Sequence, residues 1–259
     1  MSKNASLLDR FLNWLRGDSG SIKSRFFYRP LERWDLFVST KIKGESYTEW
    51  YRRRMNRMAA LSNKAAKPVS QRYLDNAKIQ VDYMIHKGMA PSSRVLEYGC
   101  GILRVGLHLV PYLEDQKYVA ADISDLRIEK GVRILKEQGI DPGRYSTVVL
   151  TDATAKELGD SQFDFIMAHD VFAHMPLDEC ETCLISLKKH LADKGQLLVT
   201  FDVSDKPTST NAKDYWFTRD QIARIAAAAN FSVEEQLDWM DFKLPTQETQ
   251  RMFRFVHPA

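Results

Sequence analysis

The sequence predicts an α/β protein with a doubly wound sheet of about seven strands, mostly parallel, an antiparallel strand near one edge, and a helical N-terminal extension. Three observations carry that expectation. From Arg94 onward, short apolar runs alternate with helix-patterned stretches, as strand and crossover helix do in a parallel sheet. The last two runs, FSVEEQLDW and QRMFRFVH, follow each other with no helix between them, so one of them can pair antiparallel. Residues 1–69 carry a different pattern and a different charge, and are taken as a basic, helical extension or lid preceding a domain over 70–259.

In the extension, Leu7, Leu8, Phe11, Leu12, Trp14 and Leu15 recur at helical spacing, with Ser6 and Asp9 as a capping pattern and Gly17 as a stop. The predicted helix is amphipathic: it packs on the domain or meets a partner or membrane surface. Residues 31–66 read as two or more helices rich in Trp, Tyr, Arg and Met, and the run YRRRMNRM is expected to turn its arginines to solvent. Residues 70–88 predict one helix with Leu74, Ala77, Val81 and Met84 or Ile85 as its apolar stripe. The strands follow as RVLEYG, KYVAADIS, STVVLTDA, FDFIMAHD and GQLLVTFD, then the closing pair.

Composition excludes several classes. With 259 residues, 44% hydrophobic and 27% charged, the chain can bury a sizeable core and is not of disordered composition. No apolar run approaches the roughly 20 residues that span a bilayer, and the N-terminus lacks a signal-peptide pattern, so a cytoplasmic location is expected. Three cysteines give no disulfide framework. The CETC pair at 180–183 falls in a helical stretch and reads as two core thiols, so no metal site is expected. The net charge of +3 conceals an asymmetry: residues 1–70 hold 15 Lys/Arg against 6 Asp/Glu, while the remainder is net acidic.

The strongest chemical signal is VLEYGCG at 95–101, a buried strand entering a glycine turn before a helix. Such a turn lets backbone amides approach a ligand closely. A dinucleotide fingerprint would need glycine where Arg104 stands, which disfavours a pyrophosphate, and Glu97 suits a cationic ligand better. Asp122 ends the second strand at the spacing where an acid reaches ribose hydroxyls, and Ile123 follows to flank a base.

This segment resembles motif I of the class I S-adenosylmethionine (SAM)-dependent methyltransferases, in which an acidic residue precedes G-x-G after the first strand. FDFIMAHDVFAHMP resembles that family's motif IV, and the ordered resemblance covers roughly residues 72–257. It implies a Rossmann-like fold and SAM as cofactor. Gly99, Cys100 and Gly101 would line its methionine part beside Tyr98, with Glu97 on the amino group. Asp152 would meet the adenine amino group beside Ala153, and the chain at His169 would pass the cofactor. Asp152 also reads as a helix N-cap. One departure is Leu103, where many members carry a further glycine.

Methyl transfer is an in-line displacement that needs a positioned nucleophile and, for a neutral hydroxyl, a base. Candidate bases follow the fourth strand: His169, Asp170 and His174, the last matching the family's frequent histidine before a Leu/Met-Pro pair. Tyr215, Trp216 and the loop DWMDFKLPTQETQ are candidates for facing substrate, and Trp34, Tyr47, Trp50 and Tyr51 for a lid. The resemblance favours O- or N-methylation of a small-molecule or glycan-type acceptor. Two alternatives stand beside it: an RNA methyltransferase docking nucleic acid through residues 1–69, and a non-catalytic SAM-binding partner protein. The oligomeric state has no signature in the sequence.

Overall fold

The fourth strand of the computed structural model, β4 (Phe163–Ala168), lies at the centre of a seven-stranded sheet. The model describes residues 29–64, 70–210 and 212–258; the predicted helix over 7–16 lies outside them. Around β4 stand β1 (Val95–Tyr98), β2 (Tyr118–Asp122) and β3 (Tyr145–Val149) on one side. On the other stand β5 (Leu191–Asp202), β6 (Ser232–Gln236) and β7 (Gln250–Val256). The order is β3-β2-β1-β4-β5-β7-β6. β7 alone runs against its neighbours β5 and β6, one place in from the edge. The two closing runs read from the sequence therefore pair as expected.

The helices in chain order are α1 (Arg29–Phe37), α2 (Tyr47–Lys64), α3 (Gln71–Asp75), α4 (Lys78–His86), α5 (Gly106–Tyr112), α6 (Asp125–Glu137), α7 (Leu177–Lys189) and α8 (Arg219–Ala228), with a π-helical turn at Val38–Ile42. The sheet's two-residue alternation sorts the core. Leu96, Ile166, Val199 and Phe201 face α7 and α8, where Cys180, Cys183, Leu184 and Ile222 are buried. Val95, Phe165, Met167 and Leu198 face the other side, packed with Val81, Met84, Leu109 and Leu135. Cys180 and Cys183 are thus the core thiols their helical setting suggests.

Two expectations need correction. The helix over 70–88 is broken into α3 and α4 at Asn76, a residue whose short amide competes for backbone and favours helix ends. Its stripe still buries Leu74, Ala77, Val81 and Met84, leaving Ile85 exposed. The arginines of YRRRMNRM are not simply a solvated face: Arg53 donates to Ser39 Oγ at 2.6 Å and to Glu45 at 3.0 Å, and Arg54 pairs with Glu32. These bonds hold the α1 segment on α2.

Candidate active site

A cavity of about 320 Å³ opens at the C-terminal ends of β1, β2 and β4, within the range of small-molecule sites. Its floor is the turn after β1. Gly99 adopts φ +82°, and a Cβ there would lie 2.3 Å from Val171 Cγ2, so only glycine fits this crossing. The amides of Gly99 and Cys100 both donate to the Ala121 carbonyl, at 2.7 and 2.9 Å. The Gly101 amide donates to Asp122 Oδ2 at 2.7 Å, and Ser124 donates to Oδ1 at 2.8 Å. The turn is therefore stapled to the end of β2. Each buried carboxylate oxygen of Asp122 keeps acceptor capacity for one more donor.

Leu103 occupies φ +53°, the left-handed conformation a glycine would take without strain. That backbone costs ~1–2 kcal/mol in a side-chain-bearing residue. Complete burial of the leucine against α6 offsets it.

Glu97 lines the same cavity and is 6% exposed. Burial pushes its carboxyl up to about 7, against the opposing pull of a hydrogen bond donated by Tyr118 and of the Arg104 charge. Arg104 also lines the cavity, with its guanidinium 4.6 Å from the Tyr73 ring centre. Ile123, Leu150, Ala153 and Val171 add an apolar stretch of wall.

The loop after β4 supplies His169, Asp170 and His174. Asp170 has φ +56°, and its amide donates to Thr200 Oγ1 at 2.9 Å while its Oδ1 accepts from Gln250 at 2.6 Å. His169 is buried, which pushes its pKa down and favours the neutral ring; its Nδ1 has no hydrogen-bond partner among the described residues, Asp170 Oδ2 lying 3.6 Å away. His174 is differently held. Its Nδ1 lies 3.0 Å from Asp214 Oδ1 and 3.2 Å from the Lys213 carbonyl. Burial raises the Asp214 carboxyl, but the bonds to His174 and Lys213 outweigh it and leave it well below the usual range.

Helix α2 closes the cavity with Tyr47, Thr48, Tyr51, Arg54 and Met55. Tyr47 donates to the His174 carbonyl at 2.7 Å, and the Tyr51 ring stacks near His174 with centroids 6.3 Å apart. At its other side, Asn56 bonds Ser124 at 2.6 Å and Asp125 at 2.7 Å. The four lid aromatics separate: Tyr47 and Tyr51 face the cavity, Trp50 is buried with its indole donating to Asp35 at 2.9 Å, and Trp34 is exposed.

Residues 96–197 match a family model described as "Methyltransferase domain". Over these residues the chain is similar to a methyltransferase domain. Over 165 residues, 61% of its length, it is 29% identical to an uncharacterized protein of Haemophilus influenzae, and it spans 61% of that relative's length. Among solved structures it resembles the magnesium protoporphyrin IX methyltransferase of Synechocystis PCC 6803 with bound SAH. The TM-score is 0.56 at 14% identity, covering 90% of this chain and 98% of the other. It also resembles the glycopeptide N-methyltransferase MtfA complexed with SAM, with TM-score 0.56 and 14% identity, covering 71% and 94%. At these identities the likeness is one of fold, that of a Rossmann-like sheet.

Of the residues expected to build the domain's site, Glu97, Tyr98, Gly99, Cys100, Asp122, Ile123, Ala153, His169, Asp170 and His174 share this cavity, and Gly101 touches it through Asp122. Asp152 does not line it: its Oδ1 accepts the Thr154 amide at 2.8 Å and its Oδ2 meets Lys156 at 3.2 Å, a local turn closure. Tyr215 and Trp216 also lie outside the lining. They pair with Thr208–Ser209 in a short hairpin, Tyr215 edge-on to Tyr47 and Trp216 donating to Thr249 at 3.4 Å. Lys213 from the same segment lines the cavity instead. The loop DWMDFKLPTQETQ packs back on α4, where Asp238 accepts from Tyr83 at 2.9 Å. Four further residues were not legible as site residues: Arg54, Arg104 and Arg127, which line the cavity, and Asp214 beside His174; only Arg104 had a signal, in its place just after the glycine turn.

Proposed function

We propose that the protein transfers a methyl group from SAM to an oxygen or nitrogen of a small-molecule or glycan-type acceptor, with His174 as the base. The reading rests on one observation above all: Glu97, Asp122 and His174 open on a single cavity floored by the Gly99–Gly101 turn. The residues fit a cationic amino-acid nucleoside. A buried carboxylate is set for an amino group, an acid with remaining lone pairs for ribose hydroxyls, and an apolar wall for a base. When bound, SAM supplies an electrophilic methyl group.

The chain's own residues do the rest. Glu97 accepts from the ammonium and Arg104 meets the carboxylate of the amino-acid part. Asp122 accepts from the ribose while holding the turn in place. Ile123, Leu150 and Ala153 flank the adenine. Both partners of His174 Nδ1, the Asp214 carboxylate and the Lys213 carbonyl, only accept hydrogen bonds, so Nδ1 carries the hydrogen. Nε2 then has the lone pair that takes a proton from the acceptor's hydroxyl or ammonium. Asp214 is a positioning residue for that ring. Tyr47 and Tyr51 fix it from above and exclude water.

SAH formation from SAM across a panel of hydroxyl- and amine-bearing metabolites and glycans tests the proposal. Acceptor-dependent SAH release that is lost in His174→Ala supports it. Retained SAM binding with no release across the panel favours a non-catalytic binding protein.

A further inference from the structure

The α1 segment sorts its charges by direction. Its acids are all taken up by α2: Glu32 pairs with Arg54, Asp35 accepts from the Trp50 indole, and Glu45 accepts from Arg53. Of its cations, Arg33, Lys41 and Lys43 are exposed and form no ion pair among the described residues, Arg33 donating only to the Ser209 carbonyl at 3.5 Å. Between them stands an outward apolar row. Leu31, Trp34, Phe37 and Ile42 are all exposed, Trp34 by 63% and Ile42 by 66%. Trp34 and Phe37 stack on each other with centroids 5.7 Å apart. Exposed aromatic and aliphatic side chains flanked by unpaired cations, with the neighbouring acids bonded to α2, are the chemistry of a surface that beds into an anionic lipid interface.

We infer that the exposed face of α1 and its π-helical turn docks on a membrane surface carrying anionic phospholipid. Three other occupants fit less well. A second copy would bring Arg33, Lys41 and Lys43 against their own equivalents, like charge on like. Residues 1–28 hold five Lys/Arg against two Asp/Glu, so they repel the same rim. Their LLDRFLNWLR pattern matches the lipid chemistry rather than complementing the cations. RNA stacks on open ring faces, whereas here the two rings cover each other and the flanking Leu31 and Ile42 have none. The docked face is one helix away from the active site, because α2 meets α1 through Arg54 and lines the cavity with that same residue.

Co-sedimentation of the full chain with phosphatidylcholine vesicles, with and without phosphatidylglycerol, tests this. Binding should need phosphatidylglycerol and weaken as salt is raised. Trp34→Ser/Phe37→Ser should lower vesicle affinity roughly tenfold or more. Lys41→Glu/Lys43→Glu should remove the preference for phosphatidylglycerol, and both variants should melt and bind SAM as the parent does. Four outcomes would overturn it: no binding to phosphatidylglycerol vesicles, binding indifferent to the Trp34/Phe37 change, a dimer in free solution dissolved by that change, or an oligouridine that binds this face and displaces the vesicles.

Discussion

Asp214 Oδ1 sits 3.0 Å from Nδ1 of His174, on the side of the ring where the Lys213 carbonyl also accepts. The contact joins the loop after β4 to the segment ahead of the Tyr215–Trp216 strand, and it sets the tautomer rather than merely the position of the ring. Long-range proton–nitrogen NMR of the neutral imidazole should report Nδ1–H and an unprotonated Nε2. An Nε2–H tautomer would remove His174 as the base.

With an acceptor in hand, His174→Ala should lower kcat by about 10²–10⁴-fold while SAM affinity stays within about twofold. Asp214→Asn should cost less, roughly tenfold to a hundredfold, because the Lys213 carbonyl still holds Nδ1–H. A fall in SAM affinity equal to the fall in kcat would mean that the pair shapes the cofactor pocket instead.

Glu97 should make cofactor binding pH-dependent. Its carboxyl ionises near 7 in the folded protein because it is buried. A cationic ligand needs the ionised form, so affinity rises with pH up to that value and falls below it. Between pH 5.5 and 7 the gain should be roughly tenfold by calorimetry, and Glu97→Gln should bind more weakly with the slope gone. An unchanged slope in that variant would assign the pH dependence elsewhere.

Asp152 should be nearly silent for the cofactor. Its carboxylate closes a turn on Thr154, outside the cavity. Asp152→Ala should therefore leave SAM affinity within about twofold and cost about 1 kcal/mol of stability, read from denaturant midpoints, as loss of a capping bond does. A tenfold loss of affinity would restore the adenine role that the family resemblance implies.

The packing of Leu103 on α6 gives a stability test. A Cβ at Gly131 would lie 2.6 Å from the Ile102 carbonyl carbon and 2.5 Å from Leu103 Cδ1. Gly131→Ala should displace the turn, costing ~1–3 kcal/mol and weakening SAM binding together. Leu103→Gly relieves ~1–2 kcal/mol of backbone strain but empties a buried site worth ~2–5 kcal/mol, so it should destabilise. A more stable Leu103→Gly variant would show the strain to be the larger effect.

The parts legible in the sequence are those that local pattern dictates. VLEYG must be a buried strand, the glycines after it must turn, and Asp122 ends the next strand beside that turn because parallel neighbours share their C-terminal edge. The antiparallel placing of β7 followed from two strand runs with no helix between them. What was not legible depends on partners distant in sequence. Whether Arg53 and Arg54 face solvent is decided by Glu45 and Glu32, not by their own run. Asp214 reaches His174 only because the hairpin folds across the end of the sheet, which also turns Tyr215 and Trp216 off the cavity and Lys213 onto it.

The most direct test of the central claim is calorimetric titration of the protein with SAM and SAH, beside an Asp122→Ala variant whose fold is checked by circular dichroism. The account predicts micromolar binding of both ligands, weakened at least tenfold in the variant, about 1.4 kcal/mol for a lost charge-assisted hydrogen bond. Absence of binding to the unaltered protein, or equal affinity in the folded variant, would contradict a SAM site built on Glu97, the glycine turn and Asp122.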